Sequence, residues 1–362
     1  MSKARELAEL GAVYDSGALS NRNFLDNGAM TVSQRGTSFS VSGANQSIFT
    51  LDRFRFGNDA GDVTITQNSV TDLPGFANSA KMSVTATGTL PTGDQCVFEQ
   101  KIEAQNCIPF GHGTSSASPL TLSFYAKSNN TDTRVAWFYN PDAGRMVAKT
   151  FANTAANTWE RITIEIPADT GGTGFNDDNG AGLYVRIVLA SGSQFTGGIN
   201  TSWVALGNNR YQGVSDFLAS TSNYFEITGM QLELGTEATP FEHRSFGDEL
   251  ARCQRYYYRH VNGDNQFVGG GDMYTTSQLN ANIDFPTAMR AFPSLVAASG
   301  TNYYIAYGAA TSTNVTNSWN LFKEHTNAAT IYVTPTSTVT AGSGMRVITS
   351  SASGSIAFDA EL

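Results

Sequence analysis

Aromatic and charged side chains alternate with aliphatic ones in several short runs of this 362-residue chain. In "TLSFYAKS", Tyr125 and Lys127 fall opposite Leu122, Phe124 and Ala126. In "LYVRIVLA", Tyr184 and Arg186 fall opposite Leu183, Val185, Ile187 and Leu189, and in "RITIEIP" Glu165 falls opposite Ile162, Ile164 and Ile166. Alternation with a period of two puts the two classes on opposite faces of a strand. The outward class combines flat rings, which stack on the apolar faces of pyranose sugars, with charged groups that read their hydroxyls. Tyr125, Lys127, Tyr184 and Arg186 belong to one alternation class, and the spacing allows them to share one sheet face. Trp137, in the strand-like "RVAWFYN", and Trp203 and Tyr211, in a loop-like region, extend this candidate carbohydrate-binding set. The competing reading is that such rings fill a core or a subunit interface.

Other chemistries are weaker. Glycoside hydrolysis needs two carboxylates held about 5 Å or 6.5–9.5 Å apart. Glu165, Asp177 and Asp178 are available, but nothing in the sequence brings them together, and solvated surface acids are the plainer reading. The four histidines, His112, His243, His260 and His325, accompany no G-x-S-x-G elbow. His112 lies in "GHGTSS" and reads as a turn residue in a flexible loop. "FNDDNG", with Asp177 and Asp178, concentrates oxygen donors that suit Ca²⁺, without the spacing of an EF-hand. An Asx-rich turn is the alternative there. Cys96, Cys107 and Cys253 show no metal-ligand spacing and read as buried free thiols, with a Cys96–Cys107 bridge across a hairpin as the alternative.

The elements that must position these groups are strands. Further strands are expected over 52–56, 63–67, 81–87, 95–103 and 223–234, with turn-rich loops between them. Charged residues make up only 15% of the chain and hydrophobic ones 40%, with 11% aromatic, so a packed β core is within reach and disorder is not expected. The formal charge of −9 excludes nucleic-acid binding through a basic surface. There is no apolar run long enough to insert into a membrane. "MSKARELAEL" lacks the apolar segment of a secretory signal, which points to synthesis in a cytoplasm. Helical spacing in 3–10 predicts a short N-terminal helix that attaches the chain to a partner or frays.

"ATPFEHRSFGDELARCQRYYY" interrupts this β pattern. Pro240 ends a strand, and Ser245 opens a helix of roughly 245–255 with Phe246, Leu250 and Cys253 on one apolar stripe. Arg252 and Arg255 complete its last turn, and Tyr256 and Tyr257 begin the next strand. These residues, Phe246, Leu250, Arg252, Arg255, Tyr256 and Tyr257, form a connector with contacts for neighbouring copies. The remainder, including "NYYIAYG", "TIYVTP", "MRVITSS" and "SIAFDAEL", reads as a second β unit.

The same stretch carries a resemblance. Gln231, Leu232, Glu233, Gly235, Ala238, Thr239, Pro240, Phe241 and Glu242, followed by Glu249, Leu250, Cys253, Gln254, Arg255, Tyr256 and Tyr257, resemble a junction in tail-fibre and receptor-binding proteins of bacteriophages, especially marine ones. "NFLDNGAMTVSQRGTSFS", "NTWERITIEIPADT", "FNDDNGAGLYV" and "FDAEL" are similar to other segments of that family, so the likeness covers nearly the whole chain from Asn21. It implies a carbohydrate-binding-module-like jelly roll, a place on the virion and host-surface binding, and it transfers no catalytic residue. Related sugar-binding modules often carry a structural ion between the first and last strands of the jelly roll, which makes Asp26, near the first strand, a second candidate calcium ligand.

The expectation is an all-β protein. A segment over 1–20 attaches to tail or baseplate proteins, and a jelly-roll β-sandwich over 21–240 is followed by a connector helix over 241–255. A smaller distal β-sandwich fills 256–362. The expected function is that of a homotrimeric tail fibre or adhesin binding a host-surface glycan without catalysis or cofactor, structural calcium aside. The alternative is a virion connector or decoration without host contact.

Overall fold

In the computed structural model, residues 21–43, 46–308, 312–315 and 319–362 are described. The N-terminal attachment helix expected over 3–10 lies outside them. Two compact units divide at Phe246/Gly247. The first carries β1 (Ser38–Ser42), β2 (Gln46–Phe49), β3 (Arg55–Asn58), β4 (Asp62–Ser69), β5 (Asn78–Ala86), β6 (Gln95–Glu103) and β7 (Leu120–Ser128). It continues with β8 (Arg134–Asn140), β9 (Arg145–Phe151), β10 (Glu160–Ile166), β11 (Ala181–Ser191), β12 (Val204–Ala205) and β13 (Tyr224–Leu234). A single helical turn, α1 (Ala104–Cys107), follows β6.

These strands form a jelly-roll sandwich. One sheet has six strands in the order β1-β4-β5-β13-β7-β10, the other seven in the order β12-β9-β8-β11-β6-β3-β2, with antiparallel neighbours. The alternation in the sequence is the cause. Leu122, Phe124 and Ala126 from one sheet meet Leu183, Val185, Ile187 and Leu189 from the other in one buried core. Burying each large aliphatic side chain contributes roughly 1.5–3 kcal/mol. Phe54 and Phe98 stack within that core at 4.8 Å between ring centres. "RVAWFYN", aromatic on both faces, resolves with Ala136 and Phe138 in the core and Val135 and Trp137 on the opposite side. The strand expected over 52–56 starts only at Arg55, because Leu51–Arg53 form a turn in which Arg53 adopts a φ of 71°.

The segment that interrupts the β pattern begins as a clasp. The buried Glu233 carboxylate accepts hydrogen bonds from the Thr239 amide at 2.9 Å and its hydroxyl at 2.6 Å. Gln231 Oε1 accepts from the Glu242 amide at 2.8 Å, and Glu242 Oε2 accepts from the Asn23 amide at 2.9 Å. Arg244 donates to the carbonyls of Asn23 and Leu25. The segment thus ties residues 22–25, where the jelly roll starts, to β13, where it ends. Phe241 and His243 close over Phe76 at 5.2 Å each. Gly229, at a φ of 63° in the bulge of β13, is needed there, since a Cβ would lie 2.8 Å from the Phe76 ring.

The second unit holds a helix, α2 (Phe246–Gln254, with Phe246 at the boundary), then β14 (Tyr257–Asn262), β15 (Phe267–Thr275), β16 (Gln278–Asp284), β17 (Ser294–Ala297) and β18 (Tyr304–Tyr307). It ends with β19 (Ser312–Val315), β20 (Asn320–Glu324), β21 (Ala328–Val333), β22 (Gly344–Thr349) and β23 (Ser355–Asp359). A three-stranded sheet, β14-β23-β17, faces a seven-stranded one, β19-β18-β22-β15-β16-β21-β20, across a second core that includes Val261, Leu279, Ile331, Val347 and Phe358. This is the expected smaller sandwich.

The connector helix departs from expectation in one respect. Cys253 is buried and Leu250 half-buried, but Phe246 is 61% exposed, and the buried partner of Cys253 on the helix is Glu249. Phe246 shares the Cys253 face but lies two turns, about 10 Å, away along the axis, past the packed surface. Asp248 and Glu249 in the first turn and Arg252 in the last suit the helix dipole. Arg255 follows the helix, where its carbonyl accepts from the Arg290 amide at 2.7 Å. Tyr256 and Tyr257 are both buried as β14 begins. Among the described residues no helix is long and apolar enough to cross a membrane.

Candidate functional site

Outward residues of the first unit's seven-stranded sheet line up in cross-strand rows. One row reads Arg55, Glu99, Arg186 and Trp137, taken from β3, β6, β11 and β8. The next reads Lys101, Tyr184 and Tyr139. Neighbouring strands lie about 4.8 Å apart, so side chains within a row touch.

Glu99 is the hinge of the first row. Its carboxylate accepts from Arg55 Nη1 at 2.9 Å and from Arg186 Nε at 2.8 Å, and Arg186 Nη2 stands 2.6 Å from Glu99 Oε2. Burial pushes the Glu99 carboxyl up, but the Arg186 guanidinium, by charge and hydrogen bond, and then Arg55 outweigh it and hold it below the ordinary value. The other face of the Arg186 guanidinium covers the Trp137 ring at 4.7 Å. In the second row Lys101 Nζ sits 4.8 Å from the centre of Tyr184, and Tyr139 bridges Tyr184 at 5.6 Å to Trp137 at 5.3 Å.

The two halves of this face differ. Over β8, β9 and β11, the segment between β11 and β13 folds back and buries Trp137, Met146, Val188, Phe195 and Tyr211 in a satellite cluster. Over β2, β3 and β6 no such cover exists among the described residues, and a groove of about 250 Å³ opens there. Arg55, Gln95, Val97, Glu99 and Arg186 form its floor, with Gln46, Ser47 and Asp59 at its rim. Tyr211 joins the halves, because its hydroxyl donates to Gln95 Oε1 at 3.0 Å. The groove is small against the roughly 300–1,000 Å³ of enclosed ligand pockets.

The predicted residues divide between two surfaces, which corrects the expectation of one shared face. Tyr184, Arg186 and Trp137 stand together on the seven-stranded sheet, but Tyr125 and Lys127 belong to β7 of the six-stranded sheet. Leu122, Phe124 and Ala126 of β7 and Leu183, Val185, Ile187 and Leu189 of β11 do face the core, as the alternation predicts. Which sheet a strand joins depends on long-range pairing, which alternation does not encode. On its own sheet Lys127 pairs with Asp72 at 2.6 Å, and the Trp159 indole N–H donates to the same carboxylate at 2.8 Å. Tyr125 packs against Phe76 at 5.2 Å.

Three of the five aromatic candidates are buried and present no ring to solvent, and Arg186 is buried as well. Trp137 and Tyr211 lie in the satellite cluster, and Trp203 joins the main core, where its indole N–H donates to the Pro167 carbonyl at 2.7 Å. Trp137 directs its own N–H at the Met146 sulfur at 3.4 Å. Missing from the sequence reading were Arg55, Gln95, Glu99, Lys101 and Tyr139. "QCVFEQKIE" carried a usable signal, because Gln95, Val97, Glu99 and Lys101 alternate there with Cys96, Phe98 and Ile102.

His112 is a turn residue, as expected, but a buried one and not part of a loose loop. Its ring lies among Phe175 at 5.0 Å, Trp203 at 5.1 Å and Phe110 at 5.9 Å, and neither ring nitrogen has a hydrogen-bond partner. Burial lowers its pKa to about 4, with Asp169 opposing and Arg145 reinforcing the shift.

The candidate acids are dispersed. Asp26 pairs with Arg53 at 3.3 Å. Asp178 accepts from the Gly180 amide at 2.8 Å in an Asx turn, and Asp177 beside it is exposed. Glu165 is exposed on β10 of the six-stranded sheet. Among the described residues no three His, Cys, Asp or Glu side chains gather in a way that could hold a metal ion. The three cysteines form no disulfide and are buried.

No family model matches the chain, and no curated protein matches it. Solved structures do. The chain is similar to the enzymatically active domain of tailspike protein 4 of bacteriophage CBA120, at 13% identity and a TM-score of 0.31, over 59% of this chain and 21% of that one. It therefore spans about a fifth of that tailspike domain's length. It is similar to a putative sugar binding protein from Bacteroides thetaiotaomicron, at 13% identity and a TM-score of 0.30, over 59% of this chain and 99% of that one. A family 11 carbohydrate-binding module of a cellulosomal cellulase from Clostridium thermocellum matches at 14% identity and a TM-score of 0.26, over 56% of this chain and 100% of that one.

Proposed function

We propose that the first unit binds a glycan across the open half of its seven-stranded sheet, and that the chain serves as a tail fibre or adhesin on a phage particle. The observation that carries the glycan reading is the groove itself. Guanidinium and amide groups line its floor, and the partly buried rings of Tyr184 and Tyr139 form the next cross-strand row, packed against the satellite cluster. Rings that stack on sugar faces next to groups that hydrogen-bond sugar hydroxyls are the two parts such recognition needs. Binding without catalysis belongs to the proposal, since the groove's central acid, Glu99, is 1% exposed and engaged by two arginines.

The virion role is supported by the resemblance running from Asn21 through the clasp and α2 to the C-terminal "FDAEL". Assembly as a homotrimer, attachment through residues 1–20 and contact with a host surface are parts of the same proposal. Repeated copies on one particle gain avidity by linkage, so each groove can be shallow.

One observation favours the alternative, a connector without host contact. In the second unit Tyr274 is 60% and Phe322 41% exposed, with ring centres 6.1 Å apart, and Tyr332 lies 6.0 Å from Phe322. Exposed rings of this kind also suit contact with another protein.

The test is direct. The full chain is titrated against immobilised bacterial and algal polysaccharides, beside a Tyr139→Ala/Tyr184→Ala variant. Binding by the wild type and its loss in the variant are expected. Retention of every glycan by the variant would rule out this face, and a wild type that binds no glycan would leave the connector role.

A further inference from the structure

The groove's hydrogen-bonding capacity is one-sided. Glu99, its central carboxylate, is 1% exposed and spent on Arg55 and Arg186. The carbonyl oxygen of Gln95 accepts from the Tyr211 hydroxyl at 3.0 Å, and that of Gln46 from the Ser42 amide at 3.2 Å. Both glutamines therefore keep their amide N–H groups for whatever enters. The Arg55 side chain is 35% exposed and uses Nη1 on Glu99, which leaves the rest of its fork at the groove. Asp59, at the rim, is the open acid, and one of its oxygens accepts from the Gln95 backbone N–H at 3.2 Å.

Lys101 covers Tyr184 in the adjoining row, and Arg210 lies 5.8 Å from Trp137 and 3.9 Å from Phe195, with its Nε buried and unbonded. Among the groove's lining side chains two bases, Arg55 and Arg186, stand against two acids, Glu99 and Asp59, and Lys101 and Arg210 lie outside the lining. Glu103, further along β6, is fully buried and accepts from Gln105.

A neutral sugar presents hydroxyls that both donate and accept, and it needs open acceptors in its site. A floor of amide and guanidinium donors whose central carboxylate is consumed, with the one open carboxylate, Asp59, at the rim, is matched instead by a ligand rich in acceptors. Resting on the proposed glycan-binding role of this face, we infer that the ligand is an acidic glycan bearing carboxylate groups, as in a uronic-acid polymer. Arg55 is its specificity-determining contact, because the planar guanidinium fork matches a planar carboxylate with two parallel hydrogen bonds. Arg186 is a positioning residue, clamped between Glu99 and Trp137, which holds Glu99 and through it Arg55 in place.

The experiment titrates the full chain with carboxylated polymers (polygalacturonate and alginate), methyl-esterified polygalacturonate, neutral galactan and dextran, and a sulfated galactan. Carboxylated polymers are expected to bind at least about tenfold tighter than their uncharged counterparts, with the preference shrinking at high salt. Arg55→Gln is expected to abolish the preference. Gln46→Glu, at an exposed rim position, is expected to weaken acidic ligands while leaving the melting temperature unchanged. Equal or tighter binding of the neutral polymers overturns the acidic assignment and leaves the glycan-binding role standing. Binding of the sulfated polymer alone overturns the carboxylate assignment, and binding of no polymer removes both the inference and the role on which it rests.

Discussion

The Arg186 guanidinium lies between the Glu99 carboxylate, 2.6 Å away on the neighbouring strand β6, and the face of Trp137, 4.7 Å away on the other neighbour, β8. Charge, hydrogen bond and ring face thus hold one side chain from both sides of its strand. The position of this clamp marks where the covered half of the sheet ends and the groove begins.

Removing one side of the clamp leaves a buried charge unpaired. Glu99→Gln is expected to destabilise the first unit by about 3–5 kcal/mol, read from urea denaturation. Glu99→Leu/Arg186→Met, which removes both charges, is expected to recover most of that loss, since Arg55 is partly solvated. A double variant as unstable as the single one would show that the clamp is not a coupled pair. The Glu99 pKa is lowered in the folded state, so the clamp's contribution is complete above the ordinary value of 4.5 and fades as pH falls below it toward the folded value.

His112 should give the unit a second, separate acid sensitivity. Its folded pKa of about 4 lies below the ordinary 6.5, so between these values the unfolded chain binds more protons than the folded one. Stability from this site is therefore complete above pH 6.5 and is lost as pH falls to about 4, by roughly 3 kcal/mol in total. His112→Phe keeps an aromatic ring among Phe110, Phe175 and Trp203 and removes the titration. Melting curves from pH 4 to 7 should flatten in the variant, and an unchanged slope would assign the sensitivity elsewhere.

Because Tyr125 and Lys127 stand on the opposite sheet from Tyr184, they serve as an internal control. Lys127→Ala should leave glycan retention within about twofold of wild type, whereas Tyr184→Ala should lower it about tenfold, near the loss of one stacked ring. The reverse ranking in an affinity-gel assay would move the binding face to the six-stranded sheet.

The clasp at the end of the jelly roll is a stability element. Glu233→Ala strands the Thr239 amide and hydroxyl, and should cost roughly 2–3 kcal/mol. Limited proteolysis should then cut first near residues 22–25 and 239–244, which the clasp holds together. Unchanged cleavage sites would mean that other contacts secure this end.

Much of the architecture was legible in the chain. A strand buried on one face must alternate, so Leu122–Ala126, Ile164–Ile166 and Leu183–Leu189 announced both their conformation and their inward side. The short β1 and β2 were missed, since four or five residues carry too little alternation to stand out from Ser- and Asn-rich turns, and so were the longer β9, β15 and β16, where burial on both faces or Gly- and Asn-rich composition blurs the pattern. The helix was legible from its caps and charges, whereas the exposure of Phe246 was not, because that depends on where the packed surface stops.

For the site, the sequence by itself determined which side chains leave the core: Tyr184 and Arg186 point outward because their neighbours must point in. Only the tertiary structure decided that they stand with Glu99, Arg55 and Tyr139, and not with Tyr125 and Lys127. It also decided that Trp137, Trp203 and Tyr211 are covered while the β2–β3–β6 half stays open. Alternation is local, fixed by the pleat of one strand. Sheet partner, cross-strand row and loop cover are settled by contacts between residues tens of positions apart, where the gain from burying shared apolar surface outweighs the entropy of closing the loops between them.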